Sequence, residues 1–528
     1  MPKTHNIFLQ RKKSVLTLGR FDNKMIKSNI FRRKIMKIDK NFGFSRGSGI
    51  LMPVSSLPSR YGIGSCGKEA FKFVDFLSDC GVKVWQVLPL NPTSYGDSPY
   101  QSPSVMAGNP YFVDLDLLRE DGLLTPSELK EAKHDTKAID YGWLFENRYK
   151  TLRIAYSRFV TGLKYFEFAE KNAYWLDDYA LYMALKVKND FKAFSEWKDD
   201  EKDVEKAKQN IKEHKKEIGF WKFVQYEFFK QWGAVLDYAH ERGVSILGDL
   251  PIYVAYDSVD VWSNPKNYLL DEDLVPKLVA GVPPDAFSDD GQLWGNPIYD
   301  WDKMKKDGFE WWTSRIRHAK ELYDIIRIDH FRGFAGYFTI PNGDKTARNG
   351  WWNKGVGEEL FEAVRKNVRS TKIIAEDLGI ITPDVRELLK STGYPGMKVL
   401  QFGFSSVENE YLPHNYRSAN CIVYTGTHDN ATTREWASEL KGRELSVFKK
   451  VCPRAKGQSR VDALISLAMN SKAVLAVIPI ADYLNLGADA RINRPSEPMG
   501  NWTWRMSAEA VDQDLKNRVR SFVEKAGR

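Results

Sequence analysis

Short runs of apolar, mostly β-branched residues recur eight times along the chain, and each run ends at polar, glycine or proline residues. Most of these runs are continuous rather than alternating, which indicates strands that are buried on both faces, as in a parallel sheet. The predicted strands cover residues 50–54, 82–90, 245–252, 324–331, 372–379, 396–404, 421–430 and 473–480.

Amphipathic helical patterns precede most of these strands. The clearest spans residues 221–239, where apolar residues recur at intervals of three and four and Gly243 follows as a natural terminator. Similar patterns occupy 67–81, 357–370 and 461–471. Because helices alternate with eight strands, the sequence predicts an α/β protein built as a (β/α)8 TIM barrel rather than as an open sheet.

Two connections are much longer than a barrel requires, so we expect insertions after the second and third strands. The first, at about 95–220, has a helical pattern with dense charges of both signs, typical of solvated helix faces. The second, at about 255–312, is rich in Pro, Gly, Asp and Trp and predicts a structured loop. Both insertions should emerge at the barrel end that carries active sites.

The 528 residues are 43% hydrophobic and 28% charged, which is typical of a globular protein and excludes a disordered chain. The formal charge of +9 is misleading, because residues 1–49 alone carry 13 Lys or Arg and 2 Asp. The rest of the chain has a net charge of −2. This distribution argues against nucleic acid as a partner of the folded body.

Residues 1–47 are predicted to be a basic, disordered N-terminal extension, and residues 48–528 to form the catalytic barrel. Met25 and Met36 are alternative starts, and an organelle-targeting signal is the weaker interpretation of the extension. No uncharged apolar run reaches 18 residues, so we expect no membrane segment. Four cysteines at scattered spacings fit a reducing compartment such as the cytoplasm.

Acidic residues follow four of the predicted strands. They are Asp249, Asp329, Glu376 with its neighbour Asp377, and Asp429. In a barrel these strand ends converge on one mouth. Salt bridging and helix capping would explain any one of these acids, but four such strand ends together indicate a site.

Two chemistries suit such a mouth: a divalent metal, or glycoside cleavage by paired carboxylates. Metal sites usually need several histidines, and of the eight in the chain only His330 and His428 lie at strand ends. The 16 Trp, 24 Tyr and 29 Phe favour sugars, whose C–H faces stack on aromatic rings. Tyr95, Tyr100 and Trp294 lie in polar loops, where core packing explains an aromatic residue less well.

Several long motifs, in order, resemble those of the 4-α-glucanotransferases (amylomaltases, or disproportionating enzymes) of the α-amylase clan. Those at strand ends are Gly248-Asp-Leu-Pro-Ile-Tyr-Val, Arg327-Ile-Asp-His-Phe-Arg-Gly, Ala375-Glu-Asp-Leu-Gly and Thr427-His-Asp-Asn. Others are Gly96-Asp-Ser-Pro-Tyr-Gln-Ser-Pro-Ser, Ala107-Gly-Asn-Pro-Tyr, Gly291-Gln-Leu-Trp-Gly-Asn-Pro and Asn501-Trp-Thr-Trp-Arg. The resemblance covers about 48–520, and it departs from ordinary α-amylases in lacking the Asn-His pair of their first region.

The resemblance implies that Asp329 is the nucleophile, Glu376 the general acid/base and Asp429 the residue that stabilises the transition state. Arg327 lies two residues before Asp329 on the same strand face, where its positive charge would favour the ionised carboxylate. Glu376 must instead arrive protonated, and a neighbouring anion would favour that form.

The implied reaction is retaining cleavage of an α-1,4-glucan and transfer to the 4-hydroxyl of glucose or a malto-oligosaccharide, without cofactor or metal. Transfer requires that water be excluded, and the loop 280–301 is the predicted lid. The further expected sugar contacts are Tyr95, Tyr100, Asp249, Asp285, Trp294, Arg327, His330, His428 and Asn493.

Three alternatives stay open on the sequence. An α-glucan hydrolase would use the same three acids, a non-catalytic glucan-binding protein would not need them, and a metal-dependent barrel hydrolase would need a cation. The sequence sets no oligomeric state and no chain-length preference.

Overall fold

The computed structural model describes residues 44–528 apart from 285–287, 380, 455, 496 and 498. The predicted extension therefore lies almost entirely outside the described residues. Twelve strands occur in the described part, numbered in chain order: β1 Gly47–Leu51, β2 Val84–Gln86, β3 Ser245–Leu250, β4 Leu278–Val282, β5 Gln292–Pro297, β6 Ile325–Ile328, β7 Gly336–Pro341, β8 Trp351–Lys354, β9 Lys372–Ala375, β10 Gly396–Val399, β11 Cys421–Tyr424 and β12 Leu475–Pro479.

Eight of these strands close into a parallel barrel in the order β1-β2-β3-β6-β9-β10-β11-β12, with β12 pairing back onto β1. Each of the eight overlaps one of the predicted strands, so the predicted (β/α)8 fold is confirmed. The barrel strands are buried almost throughout, as the continuous apolar runs indicated, because helices cover the outer face and side chains fill the interior.

The four helical patterns also form helices, the longest of which is Lys215–Glu241. Its apolar stripe includes Trp221, Phe228 and Trp232, all of which are fully buried. Burial of each such side chain contributes about 1.5–3 kcal/mol, so tertiary packing stabilises this helix. The described α-helices are Lys68–Asp79, Leu115–Glu120, Pro126–Glu131, Tyr141–Arg158, Leu163–Lys171, Ala173–Lys188, Asp199–Lys202, Val204–Gln209, Lys215–Glu241, Val259–Ser263, Trp301–Lys306, Glu310–Leu322, Glu358–Asn367, Pro383–Thr392, Thr433–Glu439, Gly442–Val451, Arg460–Met469, Ile480–Tyr483 and Gln513–Ala526.

The segment after β2 is helical, as its pattern predicted, whereas the segment after β3 differs from the prediction. Instead of a loop alone it contains the strands β4 and β5. A further excursion after β6, which no sequence pattern predicted, supplies β7 and β8. The four strands form one antiparallel sheet in the order β5-β4-β7-β8, which we call the accessory sheet. Its core contains Val279, Phe338, Ile340 and Ala347.

Candidate active site

The register of two neighbouring barrel strands brings two of the candidate acids together. Ile328 of β6 pairs with Ala375 of β9, so Asp329 and Glu376 leave adjacent strands at the same level. The Asp329 backbone N–H donates to the Leu250 carbonyl at 3.0 Å, and the Glu376 N–H donates to the Ile328 carbonyl at 3.0 Å. Backbone pairing therefore holds both residues rigidly at the carboxyl end of the barrel.

A buried cation lies beneath Asp329. Nη1 of Arg327 is 2.7 and 2.6 Å from the two carboxylate oxygens of Asp249 and 2.9 Å from Oδ1 of Asp329. The side chains of Arg327 and Asp249 are 3% and 0% exposed. The Tyr100 hydroxyl donates to Asp249 Oδ2 at 2.8 Å. Buried ions need such additional partners to offset the loss of water.

The Asp249 carboxylate, predicted to bind sugar, is thus inaccessible and is occupied by Arg327 and Tyr100. Arg327 lies closer to Asp249 than to Asp329. Its positive charge is therefore partly neutralised by Asp249, and it favours the ionised form of Asp329 less than the sequence alone predicted. Burial raises the pKa of Asp329 to about 8; Arg327 opposes this shift, and the charges of Asp249, Glu376 and Asp429 reinforce it. These interactions require all four acids to lie around one centre.

Glu376 is held through both carboxylate oxygens. Oε2 accepts a hydrogen bond of 2.7 Å from the backbone N–H of His330, and Oε1 accepts one of 2.8 Å from that of Leu378. His330 adopts a left-handed conformation with a φ of 50°, which is unusual for a residue with a side chain. Such strained backbone is concentrated at functional sites, and here it directs an N–H toward the acid.

Asp429 is the most accessible of the three acids, and its carboxylate contacts the side chains of Asn493 and His428. Nδ2 of Asn493 donates to Asp429 Oδ1 at 2.6 Å, and Nε2 of His428 lies 3.3 Å from Oδ2. Nε2 of His428 also lies 2.9 Å from the Tyr100 hydroxyl. Burial lowers the pKa of His428, so the imidazole is neutral at pH 7 and links Asp429 to the Tyr100–Asp249 pair.

Aromatic rings surround these acids. Tyr100 stacks on His428 with ring centroids 5.4 Å apart, and Trp294 of β5 contacts His330 edge to face at 4.9 Å. Trp502 lies 5.8 Å from Tyr100 and 6.0 Å from His428. Trp502 lies in one of the family-like motifs, but the sequence alone predicts no role for it, because only the folded chain brings the C-terminal segment to the mouth.

The structure therefore groups Tyr100, Asp249, Trp294, Arg327, His330, His428 and Asn493 with the three acids through the contacts above. Asp285 lies outside the described residues. Tyr95 is described only through its backbone, in the 3-10 turn Tyr95–Asp97. The backbone carbonyl of Asp429 also accepts from Arg491 at 3.3 Å, a contact that sequence reasoning missed because no motif marked it.

In the described part of the chain, no group of three or more His, Cys, Asp or Glu is arranged to hold a metal ion. The same residues include no helix that is long and apolar enough to span a membrane. The four cysteines are all buried and unpaired.

A closed (β/α)8 barrel with clustered carboxylates and aromatic rings at its carboxyl end is the arrangement expected of a carbohydrate-active enzyme. The family model described as 4-alpha-glucanotransferase matches residues 52–511, and the chain belongs to that family. It is thus a transferase that acts on glucans.

The chain is 46% identical to a 4-alpha-glucanotransferase of Clostridium butyricum over 493 residues, which are 90% of this chain and 100% of that protein. It is 41% identical to a chloroplastic or amyloplastic 4-alpha-glucanotransferase of Solanum tuberosum, over 92% of this chain and 86% of that one. Among solved structures, the amylomaltase of Streptococcus agalactiae in complex with acarbose matches with a TM-score of 0.87 and 38% identity, over 92% of this chain and 99% of that chain.

Proposed function

We propose that this transferase works by double displacement on α-1,4-glucans, with Asp329 as nucleophile and Glu376 as general acid/base. Glu376 protonates the glycosidic oxygen while Asp329 attacks the anomeric carbon, so the reducing-end fragment leaves and a glucosyl-aspartate ester forms. Glu376 then removes the proton from the 4-hydroxyl of an acceptor glucan or glucose, whose oxygen displaces Asp329. The two inversions together retain the α-configuration.

The observation that carries this proposal is the pairing of Ile328 with Ala375, which fixes Asp329 and Glu376 side by side. Asp429 supports it, because Asn493 and His428 orient its carboxylate and His428 also contacts Tyr100 of the same cluster. We propose that Asp429 bonds sugar hydroxyls and stabilises positive charge on the reacting ring. Such fixed charges act strongly in a site that excludes water.

The other residues divide into two groups in this proposal. Arg327 and Asp249 are positioning residues, since their charged groups pair with each other and Arg327 also contacts Asp329. Tyr100, Trp294, His330, His428 and Asn493 are the sugar contacts, together with Tyr95 and Asp285, which stay predictions from sequence.

The segment 280–301, which contains most of β4 and all of β5, is the proposed lid. Its contacts with the barrel include hydrogen bonds from Nε2 of Gln101 to the Trp294 carbonyl and to Asn296 Oδ1, both at 3.3 Å, and one from Nδ2 of Asn296 to the Val254 carbonyl at 2.7 Å. By excluding water and holding an acceptor, it would favour transfer over hydrolysis.

Incubation with maltotriose tests the proposal. Transfer produces glucose together with a ladder of longer glucans at a constant number of reducing ends. A rising number of reducing ends would instead identify a hydrolase with the same acids. Asp329→Asn is the control, and unchanged turnover in that variant would refute the assignment.

The role of Glu376 has a separate test. We expect Glu376→Gln to lower transfer from maltotriose by about 10²–10⁴-fold, the usual contribution of general acid–base catalysis. With α-maltosyl fluoride as donor, fluoride leaves without being protonated, so formation of the maltosyl-enzyme should recover. If both donors lost activity equally, Glu376 would not be the acid.

We further propose that the protein acts in the cytoplasm, where its four buried thiols would stay reduced. Its partners would be α-1,4-glucan donors and glucose or malto-oligosaccharide acceptors.

A further inference from the structure

A cleft on the outside of the barrel takes no part in the mechanism above. It has a volume of about 620 Å³ and lies between the helical insertion, the helix Val259–Ser263 and the barrel helix Glu310–Leu322. Ligand sites in proteins typically enclose 300–1,000 Å³. None of the catalytic acids lines this cleft.

Three of the acids that line the cleft are paired with lysines. Lys171 pairs with Glu321 at 2.7 Å, and Lys303 pairs with Asp307 at 2.9 Å. Asp178 lies 3.0 Å from Lys208. The remaining charged residues of the lining are Arg317, Glu310 and the buried Asp260. The cleft therefore has no excess of positive charge to attract an anion, and its polar groups suit a neutral, polar ligand.

One wall of the cleft is an exposed aromatic ring that is anchored from beneath. Tyr174 is 56% exposed, yet its hydroxyl lies 3.1 Å from Nδ1 of the buried His318. Nε2 of His318 is 2.7 Å from the Met106 carbonyl. Burial lowers the pKa of His318 to about 4, so the ring is neutral. Its Nε2–H donates to Met106, and Nδ1 accepts from Tyr174.

This anchor fixes the Tyr174 ring while leaving it open to solvent, which lowers the entropy lost when a ligand stacks on it. Trp311 lines the same cleft and is held by Arg315, whose guanidinium lies 5.4 Å from its ring centroid. Asn264, Ser314 and Arg317 supply polar groups around the two rings. Flat apolar rings flanked by hydrogen-bonding groups match the faces and hydroxyls of a sugar chain.

We propose that this cleft is a second binding site for α-glucan, separate from the catalytic mouth. Only the choice of α-glucan over another oligosaccharide rests on the activity proposed above. A long glucan bound here would be tethered to the enzyme, which raises the effective concentration of its other segments at the mouth. Maltotriose is too short to profit from such tethering.

The test compares long and short substrates in Tyr174→Ala, with Phe166→Ala as the matched control. Phe166 is also 56% exposed and lies on the same insertion, but it does not line the cleft. Affinity for amylose is measured by gel retardation in the Asp329→Asn background, and kcat/KM for maltotriose and amylose in the otherwise native enzyme. Loss of one aromatic contact should weaken amylose binding about three- to tenfold.

The expected result is weaker binding and a lower kcat/KM for amylose in Tyr174→Ala, with maltotriose kinetics and Phe166→Ala unchanged. Tyr174→Phe, which keeps the ring but loses its anchor, should fall between the native enzyme and Tyr174→Ala. Wild-type affinity for amylose in Tyr174→Ala would overturn the second site, as would equal losses on both substrates. Absence of transfer in the native enzyme would refute the catalytic proposal instead, since retention of amylose is measured in an inactive background.

Discussion

At the scale of single residues, the charge state of Asp329 depends on how one buried cation is shared. Arg327 faces two carboxylates, and its Nη1 is closer to Asp249 than to Asp329. Because Asp249 partly neutralises Arg327, the Asp329 carboxylate keeps its basicity as a nucleophile. Full pairing of Asp329 with Arg327 would stabilise the carboxylate and lower its basicity. The cost of this arrangement is that the ionised Asp329 carboxylate destabilises the folded state.

This cost predicts a pH-dependent stability difference between Asp329→Asn and the native protein. Burial raises the pKa of Asp329 from 3.8 to about 8, so between these values the folded state binds more protons than the unfolded state. Stability contributed by this group therefore falls as pH rises from about 4 to 8. We expect Asp329→Asn to exceed the native protein in stability by at least about 1 kcal/mol at pH 8, the value of one pKa unit.

Thermal melting at pH 5 and pH 8 checks this prediction, and the advantage of the variant should be larger at pH 8. A stability difference that does not change with pH would mean that the charge of Asp329 does not destabilise the native protein.

A second prediction at this scale concerns Asn493, which donates to Asp429 at 2.6 Å. A hydrogen bond to a charged group contributes about 1.5–3 kcal/mol. We expect Asn493→Ala to lower kcat/KM for maltotriose about 10- to 100-fold, because the Asp429 carboxylate loses its orientation. Asn420→Ala, which removes an exposed contact to the Gly393 carbonyl, should leave kinetics unchanged. Normal kinetics in Asn493→Ala would show that Asn493 is not needed to orient the Asp429 carboxylate.

At the scale of elements, the accessory sheet is the part that local sequence reasoning missed. β5 has the sequence Gln-Leu-Trp-Gly-Asn-Pro, whose Gly and Pro are typical of loops. The strand β4 beside it pairs on its other edge with β7, through contacts such as Val279 with Ile340. Those partners are some sixty positions apart in the chain, and a window along the sequence carries no trace of such pairing.

We expect the accessory sheet to help exclude water from the active site, because its strand β5 places Trp294 against His330 at the mouth of the barrel. Ile340 is fully buried in the core of this sheet, and Ile340→Ala should weaken it by about 2–5 kcal/mol. A looser lid admits water, so more of the bonds in maltotriose should be hydrolysed. We therefore expect the number of new reducing ends per glucose released to rise.

Ile154→Ala, at a position that is 36% exposed on the helical insertion, is the control and should behave like the native enzyme. If hydrogen exchange showed a loosened sheet while the product ratio stayed constant, the sheet would not be the barrier to water.

At the scale of the whole molecule, the two insertions are joined by an ion pair between Lys186 and Asp257. Nζ of Lys186 lies 2.6 Å from Asp257 and also donates to the carbonyls of Phe191 and Lys192 at 3.1 and 2.8 Å. The Asp257 carboxylate accepts from Tyr182 at 2.7 Å. The side chains of Lys186 and Asp257 are 8% and 30% exposed, so loss of one partner leaves a poorly solvated charge.

Lys186→Met should therefore destabilise the protein by about 3 kcal/mol, the lower end for breaking a buried pair. Lys305→Met removes a pair with Glu359 in which both side chains are more than half exposed, and it should cost at most about 1 kcal/mol. Denaturant melting of both variants measures the difference. Equal losses would mean that Lys186 is solvated as well as a surface residue.

The sequence by itself determined the barrel, because each strand and helix shows its own periodicity and burying apolar faces leaves few ways to combine them. It also indicated which residues lie at the strand ends, such as Asp329 and Glu376. The tertiary structure decided what those residues touch: the sharing of Arg327, the approach of Trp502, the pairing of the accessory sheet and the anchoring of Tyr174 by His318. These contacts join positions far apart in the chain, and their energies depend on burial and distance, which no local pattern contains.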